Sequence, residues 1–237
     1  MKYGFLGAVA AVALLASGSA NAAIIDTFDD TQTISGVSPG SPFTETIAGG
    51  TILGGDRTVT VDQVGGSGTV YRVNNPGQLG TMVIDGDAGN SITTVLYDGT
   101  GSGFASTDFT AGGDDGIRIV GLQSDFQIAI QVDVTDSVGG SSQITDPGFF
   151  FVGAATNLDL LYSSFTTTAG SGADFTDVTQ ISFTFTTANG AEDLQIDFFG
   201  TSNTVPDITI PEPSALAFLG LGLIGLAGYR RRLNKRS

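Results

Sequence analysis

Apolar and polar residues alternate at a period of two, and glycine, aspartate and asparagine turn signals recur at close spacing. With almost no helical periodicity beside them, these features predict an all-β chain that folds as a single antiparallel β-sandwich, jelly-roll-like. The clearest run is Asp125 to Thr135. Phe126, Ile128, Ile130, Val132 and Val134 fall on one face, and Asp125, Gln127, Gln131 and Asp133 on the other. Successive side chains of a strand point to opposite faces of its sheet, so this pattern buries one face and wets the other. Val59 and Val61 alternate in the same way with Thr58, Thr60 and Asp62. Ile181, Phe183 and Phe185 alternate with Ser182, Thr184 and Thr186, and Leu194, Ile196 and Phe198 with Asp193, Gln195 and Asp197. Shorter runs at Val70–Val73, Thr81–Ile84, Ile92–Tyr97, Ile117–Val120 and Leu158–Tyr162 complete the predicted strands.

The turns between them include Gly54-Gly55, Gly65-Gly66, Asn74-Asn75-Pro76-Gly77, Asp98-Gly99, Gly112-Gly113, Gly139-Gly140 and Asp146-Pro147-Gly148. Glycine supplies positive φ there, and Asp and Asn supply side-chain turns. Asn189-Gly190 between two alternating runs predicts a hairpin. Many short strands with one apolar face each make a sandwich or barrel, and no repeat of solenoid or propeller length is visible. One domain is therefore expected over residues 23–207.

The two ends carry different signals. Residues 1–22 read as a signal peptide: Lys2 supplies a charge, Gly4 to Ala16 are apolar, and Ala20-Asn21-Ala22 precedes Ala23. Small residues at those positions place signal-peptidase cleavage between Ala22 and Ala23. Residues 208–237 read as a tail. Pro211-Glu212-Pro213 is followed by an apolar stretch from Ala215 to Gly228, expected as a single transmembrane helix, and then by Arg230, Arg231 and Arg232. Lys and Arg resist translocation, so this cluster should act as a cytoplasmic stop.

Motif, apolar helix and basic stop in this order resemble the PEP-CTERM proteins of bacterial surfaces. The resemblance covers about the last 28 residues. It implies an exosortase-type membrane transpeptidase that recognises Pro211, Glu212 and Pro213, transient anchoring in the inner membrane, and a final place at the cell surface or in the matrix. It further implies association with exopolysaccharide and biofilm. Within the domain, Ile25-Asp26-Thr27-Phe28-Asp29-Asp30, Gly54-Gly55-Asp56-Arg57, Phe175 to Ile181 and Leu194 to Phe198 resemble galactose-binding-like jelly rolls. That likeness implies a fold and transfers no ligand.

Charge and composition narrow the function. Six of the nine basic residues lie in the two ends, which leaves Arg57, Arg72 and Arg118 against twenty-three acidic residues, a net charge of −20 for residues 23–207. A nucleic-acid partner needs clustered Lys and Arg and is excluded. The chain has no Cys, His or Trp. Triads built on His or Cys, and the usual zinc sites, are thereby absent. A two-carboxylate glycosidase needs neither residue, but no spacing here marks such a pair. Calcium is the metal to expect, since it takes several oxygen ligands on flexible loops. The candidate ligands are Asp26, Asp29 and Asp30, then Asp85 and Asp87, then Asp114 and Asp115, each group in or beside a turn. The same aspartates also serve as plain turn formers. The expected function is a non-enzymatic surface or matrix protein associated with extracellular polysaccharide. A calcium-dependent carbohydrate-binding module is the alternative, with a polysaccharide-acting enzyme third.

Overall fold

A computed structural model describes residues 22–66, 69–75, 78–86, 90–145, 150–187 and 192–202. Residues 1–21 of the expected signal peptide, the whole expected tail at 208–237, Asp87 and Asn189-Gly190 lie outside the described residues. Fourteen strands follow one another: β1 (Ile24–Asp26), β2 (Gln32–Ile34), β3 (Phe43–Ala48), β4 (Asp56–Gln63), β5 (Val70–Asn75), β6 (Gln78–Gly86), β7 (Ser91–Tyr97), β8 (Gly116–Asp136), β9 (Ser141–Thr145), β10 (Phe150–Leu161), β11 (Thr166–Ala169), β12 (Val178–Thr187), β13 (Glu192–Ile196) and β14 (Phe198–Ser202). Among the described residues no helix is long and apolar enough to cross a membrane.

The strands form the expected antiparallel sandwich, with β8 as its seam. One layer runs β3-β4-β7-β12-β8-β9-β11, using residues 128–136 of β8. The other runs β2-β5-β6-β13-β8, with β14 on residues 116–120 of β8, β10 on residues 116–128, and β1 beside β14. The runs Ile117–Val120 and Asp125–Thr135, read as two strands in the sequence, are therefore one strand of 21 residues. Its alternation is interrupted near Gly121, whose φ is +69°. A Cβ at that glycine would sit 2.1 Å from the Asp197 carboxylate, so the position needs glycine for both backbone and space.

The strands flanking Asn189-Gly190 do not pair with each other among the described residues: β12 pairs with β7 and β8, whereas β13 pairs with β6 and β8. The long seam strand offers each of them a partner in a different layer.

Inward residues follow the predicted alternation. Val59, Val61, Ile128, Ile130, Val132, Val134, Ile181, Phe183, Phe185, Leu194 and Ile196 are all buried. Phe198 is a correction: it is half-exposed, and its neighbour Phe199 is fully buried. Strand β13 ends at Ile196, Asp197 bonds the Val120 carbonyl at 2.9 Å, and β14 restarts the alternation one step out of phase. Phe199 then stacks on Phe183 at 4.0 Å and meets Phe28 edge-on at 5.0 Å. On the outer face of the first layer, hydroxyl pairs such as Thr44–Thr60, Thr46–Thr58 and Thr94–Thr184 bridge adjacent strands.

One polar group lies deep in this core. Arg57 is fully buried and donates to Asp26 Oδ2 at 2.6 Å, to Gln32 Oε1 at 2.9 Å and to the Asp30 carbonyl at 2.7 Å. Tyr97 adds its hydroxyl to Asp26 Oδ2 at 2.8 Å, and the Phe28 amide bonds Asp26 Oδ1 at 2.7 Å. Burial pushes the Asp26 carboxyl above its ordinary value, while Arg57 and these donors pull it back; the Arg57 guanidinium is held charged by its neighbours.

Candidate functional site

The outer face of the second layer carries a groove of about 310 Å³. Four neighbouring strands build it. Strand pairing aligns Arg72 of β5 with Val83 of β6, Val83 with Gln195 of β13, and Gln195 with Gln123 of β8. This row crosses the sheet at right angles to the strands. A second row lies two residues along each strand: Asp85 of β6 faces Asp193 of β13, and the Asp193 amide bonds Asp125 Oδ1 of β8 at 2.7 Å. Neighbouring strands stand about 4.8 Å apart and two residues advance about 7 Å, so the two rows lie about 7 Å from each other across the four strands.

Period-two alternation places these side chains outward. Leu194 and Ile196 point into the core, which turns Asp193 and Gln195 to the solvent side. Arg72 donates to Asp85 Oδ2 at 3.0 Å. The lining thus presents amides, a guanidinium and carboxylates: planar donors and acceptors suited to vicinal hydroxyls. The carboxylates of Asp85, Asp193 and Asp125 sit on adjacent strands, with Asp85 paired to Arg72.

The aspartates singled out in the sequence go elsewhere. Asp26 faces the core and is taken up by Arg57, Tyr97 and Phe28. Asp29 accepts from Thr27 at 2.7 Å, and Asp30 from the Thr51 hydroxyl at 2.8 Å. These three are therefore not a converging cluster: one serves a buried ion pair and the others brace loops. Asp85 is in the groove, paired to Arg72. Asp114 accepts from the Thr201 hydroxyl, and the Asp115 backbone bonds Ser202 and Tyr162 at 2.9 Å each. Among the described residues no three acidic side chains come together as a metal site. Ala22 is exposed and Ala23 half-buried, with the Ala23 amide 2.7 Å from Thr201 Oγ1. Sequence reading missed Arg72, Gln123, Asp125, Asp193 and Gln195 as a group. The available signal was their shared outward parity, but that joins them only once the strand order is known.

Other carboxylates set the acid response of the fold. The amides of Asp174, Gly140 and Val138 hold Asp136 below its ordinary value. Arg118 does the same for Asp159, through paired contacts of 2.6 and 3.0 Å, and the Ser106 and Ser137 hydroxyls for Asp177. A depressed carboxylate adds stability that is complete above its unfolded value of about 3.9 and lost as pH falls through the folded value. Asp26, being raised, has the opposite sign: its share is present at low pH and lost as pH rises through its folded value. Asp26 acts above the unfolded value and the three depressed carboxylates below it, so the melting temperature should drop as pH falls below about 4. Melts of Asp136→Asn should show a shallower drop between pH 4 and 2; a slope equal to that of the parent would remove Asp136 from this account.

Residues 209–232 match the PEP-CTERM protein-sorting motif. No curated protein matches the chain. Among solved structures the chain is similar to the solution structure of CtCBM11, at 14% identity and a TM-score of 0.41, over 80% of this chain and 99% of that one. It is similar as well to the family 11 carbohydrate-binding module of the cellulosomal cellulase Lic26A-Cel5E of Clostridium thermocellum, at 12% identity and a TM-score of 0.36, over 77% and 95%. The same organism's xylanase 10B, as its CBM22-1 and GH10 modules with xylohexaose, overlaps at 10% identity and a TM-score of 0.32, over 78% and 28%. Similarities this loose assign no ligand.

Proposed function

We propose that this chain is a non-enzymatic exported protein, sorted by an exosortase-type transpeptidase to the cell surface or matrix, where its sandwich holds extracellular polysaccharide in the β5–β6–β13–β8 groove. The observation that carries the reading is the sorting motif at residues 209–232. Export begins with removal of residues 1–22 by signal peptidase, and Arg230 to Arg232 stall the tail in the inner membrane. The transpeptidase then acts at Pro211, Glu212 and Pro213. The groove supports the second half of the reading through its chemistry, since Arg72, Gln123 and Gln195 offer hydrogen bonds to sugar hydroxyls. Association with exopolysaccharide and biofilm follows from that placement.

Glu212→Ala tests the sorting half in a host that carries the transpeptidase. Full-length, membrane-held protein should accumulate, and the processed form should disappear from the cell surface. Normal processing of this variant would leave only a simple membrane anchor. A chelator added to a polysaccharide-binding assay tests the calcium-dependent alternative; undiminished binding removes it.

A further inference from the structure

We infer that the buried Asp56 carboxylate and the loop Asp98–Gly103 together hold a divalent cation of the calcium class, in the first layer and outside the groove. Two observations meet there. The first is Asp56 itself. It opens β4 on the outer face, opposite in parity to its neighbour Arg57, which points into the core. Thr58 and Thr60 share that face and are half-buried, whereas Asp56 is only 2% exposed, because the loop after β7 folds over it. The Thr100 amide donates to Asp56 Oδ2 at 2.7 Å, and Asp56 Oδ1 is shut away from water with no hydrogen-bond partner. A carboxylate buried in this way needs a compensating positive charge. The domain has none left to give. Arg57, Arg72 and Arg118 are the basic residues of positions 23–207, and they pair with Asp26, Asp85 and Asp159.

The second is the loop that covers it. The β4–β7 register, carried two residues past Thr58 and Leu96, sets Asp98 opposite Asp56. Asp98 Oδ2 turns back over its own loop, 3.9 Å from where a Cβ on Gly101 would stand. The Thr100 and Ser102 hydroxyls both donate to the Gly99 carbonyl, at 2.6 and 3.2 Å, which brings their oxygens to one point with lone pairs to spare. Asp98, Thr100, Ser102 and Gly103 have the spacing with which a calcium loop opens: oxygen-bearing side chains at alternate positions, then glycine. These donors select the metal. All are hard oxygens, and the chain has no Cys or His to hold a softer ion. Calcium takes about six to eight oxygens in loose geometry, whereas magnesium keeps several waters, which the buried Asp56 does not admit. Two carboxylates balance one divalent charge, so the site needs no third acidic side chain. Bound there, the ion ties β4 to the loop after β7, which the Phe104 amide fastens to the Thr179 carbonyl of β12 at 2.9 Å.

Calorimetry and thermal melts of the full chain in detergent, stripped with chelator and titrated with calcium alone, test this. Calcium at about a hundred times its dissociation constant should raise the melting temperature by about 5 °C or more, and magnesium at matched ionic strength should not. Asp98→Asn should weaken calcium binding by about tenfold or more. Its melt in chelator should match the parent's, since Asp98 is half-exposed. Asp56→Asn still accepts the Thr100 amide and sheds the buried charge, so it should lose the calcium response and melt no lower than the parent in chelator. Asp29→Asn, an N-terminal change outside the site, should bind calcium as the parent does. Absence of calcium binding, equal action of calcium and magnesium, or parent-like calcium affinity in Asp98→Asn would each overturn the inference. So would an Asp56→Asn protein that melts as far below the parent in chelator as in calcium, because Asp56 would then act through the fold alone. The polysaccharide reading stands apart from every one of these outcomes, since none of them involves the groove.

Discussion

Asp26→Ala should lower the stability of the sandwich by about 3–5 kcal/mol, the largest effect expected of a single polar substitution in this chain. The carboxylate accepts from Arg57, from Tyr97 and from the Phe28 amide, and both it and Arg57 are shut away from water. Alanine leaves a guanidinium in the core with only neutral acceptors, Gln32 Oε1 and the Asp30 carbonyl. It also strips the Tyr97 hydroxyl and the Phe28 amide of a partner, and Phe28 stands at a positive φ of 57° that the bond to Asp26 helps to hold. For a domain of this size that loss corresponds to a drop of about 10 °C or more in melting temperature. Thermal melts followed by circular dichroism give the number. Asp26→Leu combined with Arg57→Met should cost less than Asp26→Ala alone, because an apolar pair of similar volume leaves no buried charge. If Asp26→Ala cost under about 1 kcal/mol, Arg57 would have to reach water in the native state, and the buried pair would not be what joins β1 to β4.

Phe199→Ala should cost a comparable 3–5 kcal/mol, here through an apolar cavity. Phe199 comes from β14 in the second layer, and its ring lies against Phe183 of β12 in the first layer as well as Phe28. Tyr97 and Phe185 stand within 6.5 Å of the same ring. Removing it opens space between the layers where five aromatic rings meet, and stiff strands on both sides cannot close in to fill it. Phe43→Ala supplies the contrast. Phe43 is 49% exposed on edge strand β3, so its loss should stay within about 0.5 kcal/mol. Urea unfolding of both variants separates the two cases, and an equal, small effect at Phe199 would mean that the layers are not locked through β14. Strand β14 pairs with both β8 and β1, so residues up to Ser202 belong to the sandwich.

What the sequence by itself determined is whatever depends on near neighbours along the chain. Period-two alternation marks β4, β7, β12, β13 and the second half of β8, because a strand's two faces are written in adjacent residues. Motif order at the C-terminus marks the sorting motif, since a linear motif is written in adjacent residues. The tertiary structure alone decided what depends on strand order. Alternation marks β12 and β13 in the sequence, but only the fold shows that β8 pairs β12 in one layer and β13 in the other. Arg57, one of three basic residues between the two ends, is a core residue because β1 brings Asp26 beside it. Asp85, Asp125 and Asp193 are scattered over more than a hundred positions, and only the pairing of β6, β13 and β8 lines them up along one groove.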